Sequence, residues 1–242
     1  MIELGERLTR VASFVPNGSK VCDVGSDHAY LPVYLIQNNQ ITSAIAGEVV
    51  EGPFLSAKQT VRDYRMEDRI EVRFGDGLQI LSKEDEITAV TICGMGGELI
   101  SRILEAGYTG GHLNGKERLI LQPNVAEHFV REWLMKHSYR ITHETVVEDK
   151  HRLYEIIVAE PVNERVEYTE LELKYGPVLL KQPSELCVAK WKRTNRKNKE
   201  ILEQLQKSKT PQHEKIEQFE KAFNELQGVI DRANSSRCGK SF

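Results

Sequence analysis

The chain has 242 residues, 40% of them hydrophobic, and a formal net charge of -3, which is enough apolar content to bury a full core and excludes a disordered protein. No apolar run reaches the roughly eighteen residues of a spanning helix, and the opening segment lacks a basic stretch followed by an apolar one. A soluble, cytoplasmic protein is expected. Cys22, Cys93, Cys187 and Cys238 lie far apart with no C-x-x-C pair, so neither a disulfide framework nor a metal site is expected. No obligate protein partner is evident.

Leu4, Leu8 and Val11 at helical spacing predict an opening amphipathic helix. Short apolar runs at 20–25, 44–48, 70–74, 87–93 and 118–122 then alternate with longer amphipathic segments, as five β-α units of a parallel sheet covered on both faces. One intervening helix should begin at Gly52-Pro53, with proline in its first turn, and another at Asn124, where Glu127 completes the spacing of a capping box. Residues 141–147 and 154–159, joined by a polar connection at 148–152, read as an antiparallel hairpin. A parallel sheet ending in such a hairpin is the arrangement of class I methyltransferases, an α/β Rossmann-like fold.

From about Leu171 the strand signals stop. Cys187, Trp191, Thr194, Asn198, Ile201 and Leu205, then Ile216, Phe219, Phe223, Leu226 and Ile230, recur in steps of three and four, which predicts a C-terminal α-helical, coiled-coil-like hairpin. Thr210-Pro211 suits the N-cap and first residue of the second helix, and the residues from Asn234 to the end look frayed. The expected division is therefore 1–162 and 163–242. Charge divides in the same sense, with 17 basic against 24 acidic residues in 1–160 and 16 against 12 in 161–242.

The run Val21-Cys22-Asp23-Val24-Gly25-Ser26-Asp27-His28-Ala29-Tyr30 leaves a buried strand through a glycine turn. A dinucleotide site would show G-x-G-x-x-G here to seat a pyrophosphate, but Asp27 and Tyr30 occupy the second and third glycine positions. An adenosyl sulfonium carries no phosphate and needs fewer glycines, and its cationic methionine moiety favours carboxylates. Glu48, 25 residues after Asp23 at the end of the second strand, can accept from ribose hydroxyls, and Asp76, after the third strand, from an adenine amino group. A lone acidic residue at a strand end is more often a solvated loop residue. Three at successive strand ends, where such sheets bind ligands, form a constellation.

The stretch Asp23-Val24-Gly25-Ser26-Asp27-His28-Ala29-Tyr30-Leu31-Pro32, with Cys93-Gly94-Met95-Gly96-Gly97, Leu121-Gln122-Pro123-Asn124 and Tyr175-Gly176-Pro177, resembles the bacterial tRNA adenine-N1 methyltransferases that modify position 22 in the D-arm. The resemblance spans nearly the whole chain and implies S-adenosylmethionine as cofactor, tRNA as partner, and a methyltransferase domain followed by a coiled-coil-like tail. The cofactor would meet Asp23, Gly25, Ser26, Asp27, Glu48, Val49, Asp76, Gly77, Gly94, Met95 and Gly96. Asp27, His28 and Asn124 are the candidates for contact with the target base.

Adenine N1 carries an in-plane lone pair and needs no covalent enzyme nucleophile. The fourth strand is followed by glycines, not by the Asn/Asp-Pro-Pro-aromatic sequence of amino-methylating enzymes, which suits ring-nitrogen attack. Asn124 can offer a donor and an acceptor to a base edge, with helix capping as its competing role. Cys93 near the strand end raises a covalent pyrimidine route, against which stands the tendency of strand cysteines to be small buried hydrophobes. In the tail, Lys190, Lys192, Arg193, Arg196 and Lys197 belong to a run with six basic residues in ten; a solvated face is the plain reading, and a tRNA phosphate contact the functional one. Readings outside this activity are a non-catalytic cofactor-binding subunit that lends RNA affinity, and a methyltransferase acting on another base or a small molecule.

Overall fold

Short apolar runs pair into a single seven-stranded sheet in the computed structural model, which describes residues 2–207 and 212–238. The first of two compact units, residues 1–178, carries α1 (Glu6–Ala12), β1 (Ser19–Val24), α2 (Tyr30–Gln37), β2 (Ile41–Glu48), α3 (Glu51–Asp63), β3 (Ile70–Phe74), β4 (Ala89–Met95), α4 (Gly97–Thr109), β5 (Arg118–Pro123), α5 (Glu127–Lys136), β6 (Tyr139–Asp149), β7 (Arg152–Pro161) and α6 (Glu170–Tyr175). The strand order is β3-β2-β1-β4-β5-β7-β6. Neighbours from β3 to β5 are parallel, whereas β7 runs antiparallel to both β5 and β6.

The twofold period of the strands divides the core into two layers. On β5, Ile120 joins a cluster with Val21, Val33 and Leu35, while Leu119 and Leu121 join one with Ile92, Ile100, Leu104 and Leu134 on the opposite face. With helices on both faces, all the β-α loops at the carboxyl ends of the strands are left for a ligand.

The parallel sheet with its terminal antiparallel pair is as expected, with three local differences. Between β3 and β4 there is no α-helix but two short 3₁₀ turns, Gly77–Ile80 and Lys83–Asp85. The hairpin turns at Lys150 and His151, both at positive φ, the backbone of a two-residue turn matched to strand twist, so β6 and β7 are longer than their apolar cores suggest. Helix α5 starts at Glu127 after Ala126, and no side chain caps it; the Asn124 amide is engaged elsewhere.

The first unit also extends past the expected boundary at 162. The Ile141 amide donates to the Tyr168 hydroxyl at 2.8 Å, Arg131 donates to the carbonyls of Leu173 and Lys174 at 3.3 and 3.2 Å, and the Val178 amide donates to Glu144 at 2.8 Å. These bonds bind residues 168–178 to β6 and α5, and the division falls at 178/179, within α7 (Pro177–Lys181).

In the second unit α8 (Glu185–Gln206) and α9 (His213–Cys238) pack on each other. Ser184 caps α8, accepting from the Cys187 amide. The buried face of α8 is Cys187, Val188, Trp191 and Asn195, whereas Thr194 and Ile201 are exposed; a straight helix drifts off a strict heptad, and Asn195 and Leu202 take the inward places expected of Thr194 and Ile201. Asn195 donates to Gln227 at 3.1 Å. In α9, Leu226, Val229, Ile230 and Ala233 are buried. That helix continues to Cys238, through the first residues of the stretch expected to fray; the expected cap Thr210-Pro211 lies outside the described residues.

Candidate functional site

The carboxyl ends of β1 and β2 hold two buried acids. Asp23 and Glu48 are 5% and 6% exposed, in a sheet interior where an unpaired charge is costly. Asp23 accepts from the Thr91 and Ser26 hydroxyls, both at 2.6 Å. Burial pushes its carboxyl up to about 6, the two hydroxyls acting against this and the Glu48 charge adding to it. Glu48 accepts from the Asp27 amide. No lysine or arginine pairs with either carboxylate among the described residues.

The turn that carries these contacts is conformationally demanding. Gly25 has φ +69°, where any L side chain would be strained, and a Cβ there would lie 2.2 Å from the Met95 Cε, so the methionine end would also have to move. Asp27 and Ala29 also have positive φ, 56° and 54°, a conformation uncommon outside glycine and concentrated at functional sites. It turns the Asp27 amide onto Glu48 while the Asp27 side chain stays exposed. His28 lies 3.8 Å from the Asp27 carboxylate and stacks on Tyr30 with ring centroids 5.0 Å apart.

Further along the edge, Val49 is exposed beside Glu48, the Gly75 amide donates to the Glu48 carbonyl at 2.8 Å, and Asp76 is exposed just before the first 3₁₀ turn. Gly77 has a packing role: a Cβ there would sit 3.0 Å from Ile103.

The ends of β4 and β5 form the other half. Pairing passes from Cys93↔Gln122 to Met95↔Pro123 and skips Gly94, a bulge made possible by the Gly94 φ of +77°. Both peptide groups of the skipped residue turn to side chains. The Gly94 amide donates to Gln122 Oε1 at 3.0 Å, Gln122 Nε2 donates to Asn124 Oδ1 at 3.1 Å, and Asn124 Nδ2 donates to the Gly94 carbonyl at 2.6 Å. These three bonds close a ring in which every donor points the same way round. Gln122 Nε2 also donates to the Pro123 carbonyl at 3.0 Å, and Arg7, packed over the Tyr154 ring at 5.5 Å, donates to Gln122 Oε1 from outside the ring. The Asn124 amide at 2.7 Å from the Met95 carbonyl ties the β5 loop to the same point. Gly96 precedes α4 as its cap residue.

The structure thus brings Asp23, Ser26, Asp27 and Glu48 into one hydrogen-bonded set, and Gly94 with Asn124 into another, with Met95 packed on Gly25. Thr91, Arg7 and Tyr154 join them without having been singled out, and Gln122 had been noted only within the motif Leu121-Gln122-Pro123-Asn124; the available signal was Gln122 itself, an uncharged polar residue ending the apolar run Leu119-Ile120-Leu121. Cys93 lies beside the site, but burial pushes its thiol well above the ordinary range, which opposes the thiolate a covalent route requires. Lys192, Arg193, Arg196 and Lys197 are exposed on α8, with Lys190 partly covered.

The set fits a cationic nucleoside cofactor: two buried carboxylates without a protein cation, a glycine turn admitting close approach, and no phosphate cradle. The family model described as tRNA (adenine(22)-N(1))-methyltransferase matches residues 21–228. The tRNA (adenine(22)-N(1))-methyltransferase of Bacillus subtilis (strain 168) is 42% identical over 236 residues, 95% of this chain and 98% of that protein. A Streptococcus pneumoniae protein assigned as a tRNA (m1A22) methyltransferase, solved in complex with S-adenosyl-L-methionine, superposes with a TM-score of 0.85 at 40% identity, covering 95% of this chain and all of that one. The Mycoplasma capricolum enzyme TrmK, solved with S-adenosyl-homocysteine, gives a TM-score of 0.81 at 26% identity over 94% of this chain and 98% of that one. Sequence motifs, sheet topology and these matches agree: the chain belongs to the tRNA (adenine(22)-N(1))-methyltransferase family.

Proposed function

We infer that this chain is the cytoplasmic enzyme that transfers a methyl group from S-adenosylmethionine to N1 of adenine 22 in tRNA. The observation that carries the reading is the buried pair Asp23 and Glu48, with which no lysine or arginine among the described residues pairs. When bound, S-adenosylmethionine supplies an electrophilic methyl on a cationic sulfur. Asp23 and Glu48 hold the positive and hydroxyl-bearing parts of the donor, with Gly25 and Ser26 at the turn and Val49, Asp76 and Gly77 toward the adenine end. Gly94, Met95 and Gly96 complete the donor site on the side where the glycines leave space for the target base.

The attacking group is the N1 lone pair of the adenine itself, so the chain has to position and desolvate, and such positioning is worth about 7–11 kcal/mol of barrier. Asp27 places a carboxylate near the base, where it stabilises the cationic product or takes an N6 proton. His28, stacked on Tyr30, is the neighbouring acid–base group, and Asn124 meets the base edge. The second unit forms a coiled-coil-like tail whose Lys190, Lys192, Arg193, Arg196 and Lys197 meet tRNA phosphates and leave base reading to the first unit.

The test is incubation of the purified chain and labelled cofactor with unmodified tRNA, followed by nucleoside analysis. The expected product is 1-methyladenosine at position 22, absent when that adenine is replaced. Methyl transfer to another base, or cofactor binding with no transfer to any tRNA, overturns the reading.

A further inference from the structure

We propose that Arg7 and Gln122 are positioning residues that set the sense of the Asn124 amide, so that Asn124 reads the N6 and N7 edge of the target adenine and leaves N1 open to the methyl donor. The proposal rests on the adenine-N1 reading above.

A primary amide looks nearly the same either way round, and its neighbours decide which end donates. The Gln122 oxygen faces two donors, the Gly94 amide and the Arg7 guanidinium, and its nitrogen faces two acceptors, the Pro123 carbonyl and Asn124 Oδ1. Flipping Gln122 would oppose like groups at all four contacts, and the charged Arg7 donor makes the penalty largest. The Gln122 orientation in turn obliges Asn124 to present oxygen to Gln122 and nitrogen to the Gly94 carbonyl. Each end of the exposed Asn124 amide uses one contact in this way and keeps one: a lone pair on oxygen and an N–H on nitrogen. In kind, one acceptor and one donor, that remaining pair matches adenine, whose N6 amino group donates and whose N7 accepts.

The choice of a neutral reader suits the chemistry. As N1 takes up the methyl group the ring becomes cationic and its N6 hydrogens more acidic, so an N6 bond to the Asn124 oxygen strengthens on the way to the product, whereas a cation in that place would oppose it. Arg7 supplies its charge one residue removed, through Gln122, and is held aside by the Tyr154 ring.

The test compares kcat/KM on tRNA carrying adenosine or 7-deazaadenosine at position 22; the analogue replaces N7 by C–H while keeping N1 and the amino group. The parent protein should favour adenosine by about tenfold, the worth of one good base-edge contact. Arg7→Met should shrink that preference toward unity with S-adenosylmethionine affinity and Tm unchanged, and Arg7→Lys, which retains a charged donor, should restore part of it. Equal use of the two tRNAs by the parent, a measurement that depends on no variant folding, overturns the proposal, as does a full preference in folded Arg7→Met. Methylation of the ordinary tRNA by the parent in the same assay tests the underlying activity separately.

Discussion

Two pairs of buried carboxylates stand in the same sheet and are neutralised differently. Glu144 on β6 and Glu155 on β7 flank Arg131 of α5, whose Nε donates to Glu144 at 2.7 Å and whose Nη2 donates to Glu155, all three side chains being buried. Burial pushes the Glu144 carboxyl up, and Arg131 pulls against it. Asp23 and Glu48 are as buried, but their partners are two hydroxyls and a backbone amide. The first pair is complete within the chain and locks the 173–178 segment onto the sheet. The second meets no lysine or arginine among the described residues, and that is the place the proposed sulfonium donor would take.

The largest effect should come from opening the complete set. Arg131→Met leaves Glu144 and Glu155 buried without a counter-charge and should cost about 3–5 kcal/mol of stability, read by denaturant unfolding; a loss below 1 kcal/mol would mean that water already reaches the site. Removing an acid from the incomplete pair should act on binding instead. Glu48→Ala should weaken S-adenosylmethionine binding by about 1.5–3 kcal/mol, the worth of a hydrogen bond to a charged group, with the fold retained. Unchanged affinity by calorimetry in a folded variant would remove Glu48 from the site.

The pH response should separate the pairs further. Folding raises the Asp23 carboxyl from its ordinary 3.8 to about 6, so between these values the folded protein holds a proton that the unfolded chain releases. Stability without the donor should therefore fall as pH rises from about 4 to 6, by on the order of 3 kcal/mol in total. Affinity for the cationic donor should rise as pH passes about 6 and the carboxylate ionises, and Asp23→Asn should flatten both profiles. A donor affinity independent of pH from 5 to 7 would show that Asp23 does not sense the cation.

Smaller changes test the charges outside the sheet. Replacing Lys192, Arg193, Arg196 and Lys197 by glutamine keeps good helix formers and should lower tRNA affinity, flattening its salt dependence by up to about one unit of slope per lost phosphate contact. Donor affinity should stay as it was. An unchanged salt slope would move the RNA-contacting surface to the first unit. The smallest effect is expected for Cys93→Ala, which should retain substantial activity and yield 1-methyladenosine, since N1 attack requires no thiolate. Loss of all turnover in a folded variant that still binds donor would reinstate the covalent route.

What the sequence determined by itself is what periodicity and local backbone rules encode. Twofold alternation in Leu119-Ile120-Leu121, the glycine turn after Asp23 and the acids at successive strand ends are local patterns, so the parallel sheet, its antiparallel ending and the acids along its carboxyl edge were legible. The tertiary structure alone decided which polar groups meet across distance. Asn124 and Glu127 have the spacing of a cap, yet the skipped pairing at Gly94 offers the Asn124 amide a carbonyl and a neighbouring glutamine, and this ring takes it from the helix. Arg7 lies 115 residues from Gln122 in the chain, and Glu155 lies 24 from Arg131. No window of sequence reports such pairs, because the free energy that selects them, the cost of leaving a buried donor or acceptor unmatched, exists only once the sheet has brought the strands together.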